Sequence, residues 1–155
     1  MKKTNKGFSM VELIIVIAIM AILAGALAPT LIKYINRSRI SSDITSGDSI
    51  ASAIQTALTN EDIDDATSDF SVTPYGTGGM ASATSLGSEL EKTLGQATSV
   101  KQKAKKDASG TKQSFTGSFY VTLDKGKVEV YAGGTTSNYM VYPTQGSFFD
   151  MKYAK

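Results

Sequence analysis

Apolar residues follow three different rhythms along this chain. From Phe8 to Ile32 they run almost without interruption, and Glu12 is the one ionisable side chain among them. A spanning helix needs about 20 apolar residues, so 8–32 reads as a transmembrane helix. From Lys33 to Thr59 the rhythm changes. Ile40, Ile44, Gly47, Ala51, Ile54 and Leu58 recur at steps of four and three, the stripe of an amphipathic helix. Ser41, Asp43, Ser46, Asp48, Ser49, Ser52 and Gln55 take the opposite face. One continuous helix over 8–59 is therefore expected, apolar first and amphipathic afterwards. Gly47 costs that helix up to about 1 kcal/mol relative to Ala, and its bareness suits a close crossing by a strand.

The last forty or so residues alternate. Phe119, Val121 and Leu123 interleave with Tyr120 and Thr122, and Val128 and Val130 with Glu129 and Tyr131. Period two is the mark of strands, and Asp124-Lys125-Gly126 between them suggests a three-residue hairpin loop with a G1-type bulge. Asn138 to Tyr142 reads as a third strand stopped by Pro143, and Ser147 to Tyr153 as a fourth with Phe149, Met151 and Tyr153 on one face. Between helix and strands, 60–84 reads as loop, acidic at first and then rich in turn residues. Ser85 to Gly95 reads as a short helix with Leu86, Leu90 and Leu94 on one side. An antiparallel sheet with one apolar face needs a partner, and the stripe of 40–58 is the one at hand. The expected fold is α+β, a long N-terminal helix packed on a C-terminal antiparallel sheet. Its divisions are a leader over 1–7, a transmembrane helix over 8–32, an amphipathic helix over 33–59, a variable loop region over 60–115 and the sheet over 116–155.

Composition narrows the function. The chain has no His and no Cys, which removes the common zinc sites and the Ser-His-Asp and Cys-His constellations. No nucleophile, base or metal grouping stands out, so the reading is a structural subunit, not an enzyme, with no cofactor. Asp62, Asp64, Asp65 and Asp69 cluster, but the Gly and terminal Glu of an EF-hand loop are missing, and a solvated acidic loop is the expectation. Lys101, Lys103, Lys105, Lys106 and Lys112 form a basic run. Such runs bind DNA or anionic surfaces, yet no aromatics interleave to stack on bases. The 16 Lys+Arg against 14 Asp+Glu leave the chain close to neutral, which does not point to nucleic acid.

Within the apolar run, Glu12 stands out. A carboxylate there costs roughly 2–4 kcal/mol, so it needs a partner or a role. Pro29 removes a backbone donor and crowds the carbonyl of Gly25, so a kink is expected at Gly25–Pro29. Ala18, Ala21, Gly25 and Ala28 fall at spacings that let neighbouring helices approach closely. Lys33, Arg37 and Arg39 follow the run and can face lipid headgroups or acids such as Asp43 or Asp48 of a neighbouring copy. Lys2, Lys3 and Lys6 precede it, so charge counting does not decide the orientation.

Gly7, Phe8, Ser9 and Glu12, then the apolar run and Pro29, resemble the class III signal of type IV prepilins, which type II secretion and competence pseudopilins share. The resemblance implies cleavage between Gly7 and Phe8 by a prepilin peptidase and methylation of the new Phe8 amine. It implies that Glu12 guides assembly, pairing with the Phe8 amine of a neighbouring subunit in a filament. It further implies an N-terminus inside the cell, a pilus assembly ATPase and a platform protein as partners, and other pilin subunits in a homopolymer. The precursor would cross the cytoplasmic membrane once, and the assembled subunit would be extracellular. The alternative within the family is a pseudopilin of a secretion or competence system. An alternative outside it is a secreted binding domain behind an ordinary signal peptide cut near Ala28.

Overall fold

The computed structural model describes residues 7–59, 63, 70–75, 85–94, 100–114 and 117–151. It divides into two compact units, Met1–Ile35 and Asn36–Lys155. Helix α1, Met10–Ala57, runs through both and carries Pro29 within it. The leader residues before Gly7 lie outside the described residues.

In the first unit α1 buries nothing. Every large apolar side chain from Phe8 to Ile35 is exposed, including Ile14, Ile17, Leu23 and Leu31. Length and composition make α1 a helix able to cross a membrane. Water cannot be the intended neighbour of a helix that is apolar all round.

The second unit has a core of its own. Ile40, Gly47, Ile50, Ala51, Ile54 and Ala57 of α1 are buried. They meet a four-stranded antiparallel meander in the order β1-β2-β3-β4, with β1 at Phe70–Tyr75, β2 at Phe119–Asp124, β3 at Lys127–Ala132 and β4 at Met140–Tyr142. The inward residues Phe119, Val121, Val128, Val130 and Val141 are at most 2% exposed, as the alternation requires. Helix α2, Ser85–Leu94, adds Leu86 and Leu90 to the same core. The expected stop residue Gly95 lies outside the described residues.

Four details depart from the sequence reading. Strand β1 lies within the stretch read as loop, where Pro74 and the turn residues after it disguise it. The strand is at the edge of the sheet, and an edge strand tolerates a residue without an N–H. The β2–β3 connection is shorter than expected. Asp124 pairs with Lys127, which leaves the two residues Lys125 and Gly126 at φ 49° and 78°. Two successive positive φ values give the I′ type, whose twist matches the strands it joins. The third strand is trimmed to Met140–Tyr142, because Ser137–Tyr139 forms a 3-10 turn. The fourth strand is replaced by a turn. The N–H groups of Phe149 and Asp150 donate to the Gly146 carbonyl at 2.9 and 3.0 Å, so they are spent locally. Phe149 still reaches the core and is fully buried, while Phe148 stacks edge-on against Tyr139 with ring centroids 4.7 Å apart. Tyr153 lies outside the described residues.

Gly47 is where α1 and the sheet come closest. A Cβ there would overlap the Val141 side chain and sit 3.8 Å from Val130. Gly47→Ala gains up to about 1 kcal/mol of helix propensity but forces an overpacked contact costing about 1–3 kcal/mol. The expected net result is a loss near 1 kcal/mol, seen as a melting temperature lower by about 5 °C. A variant more stable than the parent would mean that Val141 moves aside freely.

Candidate functional site

Two places concentrate the unusual chemistry, the start of α1 and a lysine-bearing hairpin on the second unit.

At the start of α1 the pattern Ser-x-x-Glu forms a reciprocal cap. The Ser9 hydroxyl accepts from the Val11 N–H at 3.2 Å, and the Glu12 carboxylate accepts from the Ser9 N–H at 2.9 Å. This capping box occupies amide groups that no helical carbonyl can reach. An acid in the first turn also complements the positive end of the helix dipole. The sequence reading singled out Glu12 as an acid in an apolar run and missed this local role, although the three-residue spacing from Ser9 to Glu12 was the available signal. Phe8, beside the cap, is 84% exposed. Gly25 and Pro29 lie inside the helix, and a Cβ on Gly25 would meet open space.

The hairpin spans 101–113. Lys106 and Lys112 face each other across an antiparallel bridge, and the Asp107 N–H donates to the Thr111 carbonyl at 2.9 Å. Asp107 organises the tip from within. Its Oδ1 accepts from the Ser109 hydroxyl at 2.6 Å and the Thr111 N–H at 2.8 Å, and its Oδ2 accepts from Gln113 Nε2 at 2.8 Å. Burial alone would raise its pKa, but these hydrogen bonds outweigh it and hold the carboxyl below its ordinary value. The Asp107 carbonyl also accepts from Asn36 Nδ2 at 3.0 Å, which ties the tip to α1.

Asp43 makes the second tie. Its side chain is fully buried. Oδ1 accepts from the Lys103 N–H and Oδ2 from the Ala104 N–H, each at 2.7 Å. Burial pushes the carboxyl above its ordinary value, against the opposing pull of those two N–H groups and the Lys103 charge. The sequence reading put Asp43 on the polar face and offered it to a neighbouring copy. That is corrected: the carboxylate is spent inside its own chain, and of the two acids Asp48 is the exposed one. Positions 40, 43, 47, 50, 54 and 57 form the true stripe, with Asp43 in register on it.

The sheet offers one further charged group. Glu129 accepts from Lys127 Nζ at 2.6 Å and from the Tyr131 hydroxyl at 2.7 Å. Burial and that hydrogen bond push the Tyr131 phenol up to about 12, so it stays neutral and supplies no base. Among the described residues no three His, Cys, Asp or Glu side chains are grouped to hold a metal. The acidic run Asp62, Asp64, Asp65 and Asp69 lies outside the described residues.

Comparison with known proteins agrees with the first of these places. The family model described as the prokaryotic N-terminal methylation motif matches residues 2–28. Type IV major fimbrial proteins FimA of Dichelobacter nodosus are similar to the chain over 58 residues, two at 41% identity and one at 40%. Those 58 residues are 37% of this chain and 36–37% of each relative, so the match spans little more than a third of the relatives' length. No solved structure matches the chain. The methylation motif takes in Gly7, Phe8, Ser9 and Glu12 and the apolar run as far as Ala28.

Proposed function

We propose that this chain is a pilin, a structural subunit that a prepilin peptidase cuts between Gly7 and Phe8 and that polymerises through the first part of α1. The observation carrying this reading is the run of exposed apolar side chains from Phe8 to Ile35, with the capping Glu12 in the first turn of α1 and a methylation motif over residues 2–28. Before assembly, 8–32 would sit in the cytoplasmic membrane with the second unit outside the cell. During assembly a pilus ATPase and a platform protein would drive the subunits out. Their apolar helices would then exchange lipid for one another at the filament core, packing closely through Ala18, Ala21, Gly25 and Ala28. Glu12 would keep its place in the apolar core by meeting the methylated amine of Phe8 on a neighbouring subunit. Pro29 and Gly25 would be the place where the helix loosens inside the filament. The role is structural and asks no catalysis of the chain.

N-terminal mass spectrometry of the protein from membranes and from sheared surface material tests the reading. The expected chain starts at Phe8 with one added methyl and is abundant in the sheared fraction. The same N-terminus retained wholly in membranes would indicate the pseudopilus of a secretion or competence system. A chain starting near Ala28 would end the filament reading and leave an ordinary secreted domain.

A further inference from the structure

We propose that Ser9 is a positioning residue for processing: its hydroxyl fixes where α1 begins and so keeps the Gly7 carbonyl out of the helix and open to the peptidase. The proposal rests on the reading of Gly7–Phe8 as the cleavage site, and it adds a residue that sets how that bond is presented.

Three observations carry it. The first is where the helix starts. The Ser9 carbonyl accepts from the Leu13 N–H at 3.2 Å, while Gly7, Phe8 and Ser9 themselves lie outside the helix. Ser9 is therefore the boundary residue, and serine is among the best caps there. The second is which N–H the hydroxyl takes. In a helix each N–H donates to the carbonyl four residues earlier, so a continued helix would give the Val11 N–H to the Gly7 carbonyl. The Ser9 hydroxyl accepts that N–H instead, at 3.2 Å. The third is room. Phe8 is exposed, and a Cβ on Gly7 would meet nothing within 4 Å. A protein closing around this bond meets no obstacle from the described residues. The methylation motif, matched over residues 2–28, points independently to modification at this place.

Without the hydroxyl, the scissile carbonyl is the group affected first. Hydrolysis adds water to the Gly7 carbonyl carbon, breaks its bond to the Phe8 nitrogen, and leaves a Gly7 carboxylate and a Phe8 amine. A peptide wound into a helix, its oxygen held by Val11, does not lie extended in a protease cleft. At the edge of an apolar run water serves a stranded N–H poorly, so an uncapped helix gains more by winding back than by fraying. Asn5 is the nearest upstream residue of a kind that caps well, and a helix begun there takes in Gly7 and Phe8. Glu12 acts differently. It holds the Ser9 N–H, whose helical acceptor would be the Asn5 carbonyl, so losing Glu12 leaves the Gly7 carbonyl untouched.

The test uses the full precursor in detergent micelles, a purified prepilin peptidase, and the pair Ser9→Thr and Ser9→Val, which match in shape and differ in the hydroxyl. Ser9→Val is expected to raise KM by up to about fivefold with kcat unchanged, because only chains with an open bond can bind. Ser9→Thr should stay within about twofold of the parent. An isotope label in the Gly7 carbonyl gives the structural readout. Its infrared band should move to lower frequency in Ser9→Val and hold its place in Ser9→Thr. Equal KM values for the two variants, or a Gly7 band that stays put in Ser9→Val, would overturn the proposal and leave the cleavage site standing. A fall in kcat alone would overturn it too, by placing the side chain in the chemical step. A parent precursor left uncut, or cut elsewhere than before Phe8, would overturn the processing reading, and this proposal with it.

Discussion

Glu12→Ala should leave the protein cleaved and in the membrane while sheared filaments fall to a few per cent of the parent yield. Two roles of Glu12 are lost together in that variant. One is local: its carboxylate holds the Ser9 N–H at 2.9 Å, and losing such a cap costs about 0.5–2 kcal/mol. The other is the pairing proposed for the filament, where the Phe8 amine of a neighbour would be left as an unpaired charge in an apolar core. Removing one member of a buried pair costs about 3–5 kcal/mol, more than a hundredfold in the equilibrium for adding a subunit. Glu12→Gln separates the two. A glutamine amide oxygen still completes the capping box, yet it carries no charge to meet the amine. If pairing across subunits dominates, Gln and Ala should both assemble poorly. Filaments at parental yield from Glu12→Gln, counted by electron microscopy and by the pilin band in sheared material, would reduce Glu12 to a helix cap.

The parts of this fold that were legible in the sequence are those in which one pattern decides the outcome. The unbroken apolar run, the change to steps of three and four after Lys33, and the alternation in 119–123 and 128–131 each correspond to an element of the structure. Gly47 was legible too, because a bare position on a buried stripe means close approach, and Val141 is what approaches. The misreadings share a different cause. Strand β1 is defined by the hydrogen-bond partner it finds in β2, and its own Pro74 argues locally for a turn. The length of the β2–β3 loop depends on register, which only the pairing of Asp124 with Lys127 fixes. Asp43 was assigned to solvent because its side chain is charged. Its burial depends on two amides 60 and 61 residues away, and nothing within one helix turn of it announces them. The lysine run shows the same limit. Its composition was plain, but the inward turn of Asp107 and the opposition of Lys106 and Lys112 are properties of the folded hairpin.

Asp43→Ala is the substitution expected to harm the second unit most. It leaves the Lys103 and Ala104 N–H groups facing an empty space where a carboxylate stood at 2.7 Å. A buried donor without an acceptor costs about 1–3 kcal/mol, and two such donors exceed the gain from no longer burying the acid. The expected loss is about 3 kcal/mol, or roughly 15 °C in melting temperature for a unit of this size, measured on the full chain in detergent. Asp43→Asn keeps one acceptor oxygen but turns an amide donor toward the other N–H, so its loss should be intermediate. The damage should be graded along the chain. Amides 103–113 depend on Asp43 for their attachment to α1, so their hydrogen exchange should quicken well before that of β2 and β3, whose ladder is intact from Phe119–Ala132 to Asp124–Lys127. The substitution leaves the apolar run of 8–32 unchanged, so membrane recovery should match the parent. A melting temperature within about 2 °C of the parent would mean that the two amides find other acceptors and that the hairpin is held by Asn36 and the Ala108–Phe148 bond at 2.8 Å. In that case the lysines would still be gathered near α1, but by a weaker hold than the carboxylate geometry implies.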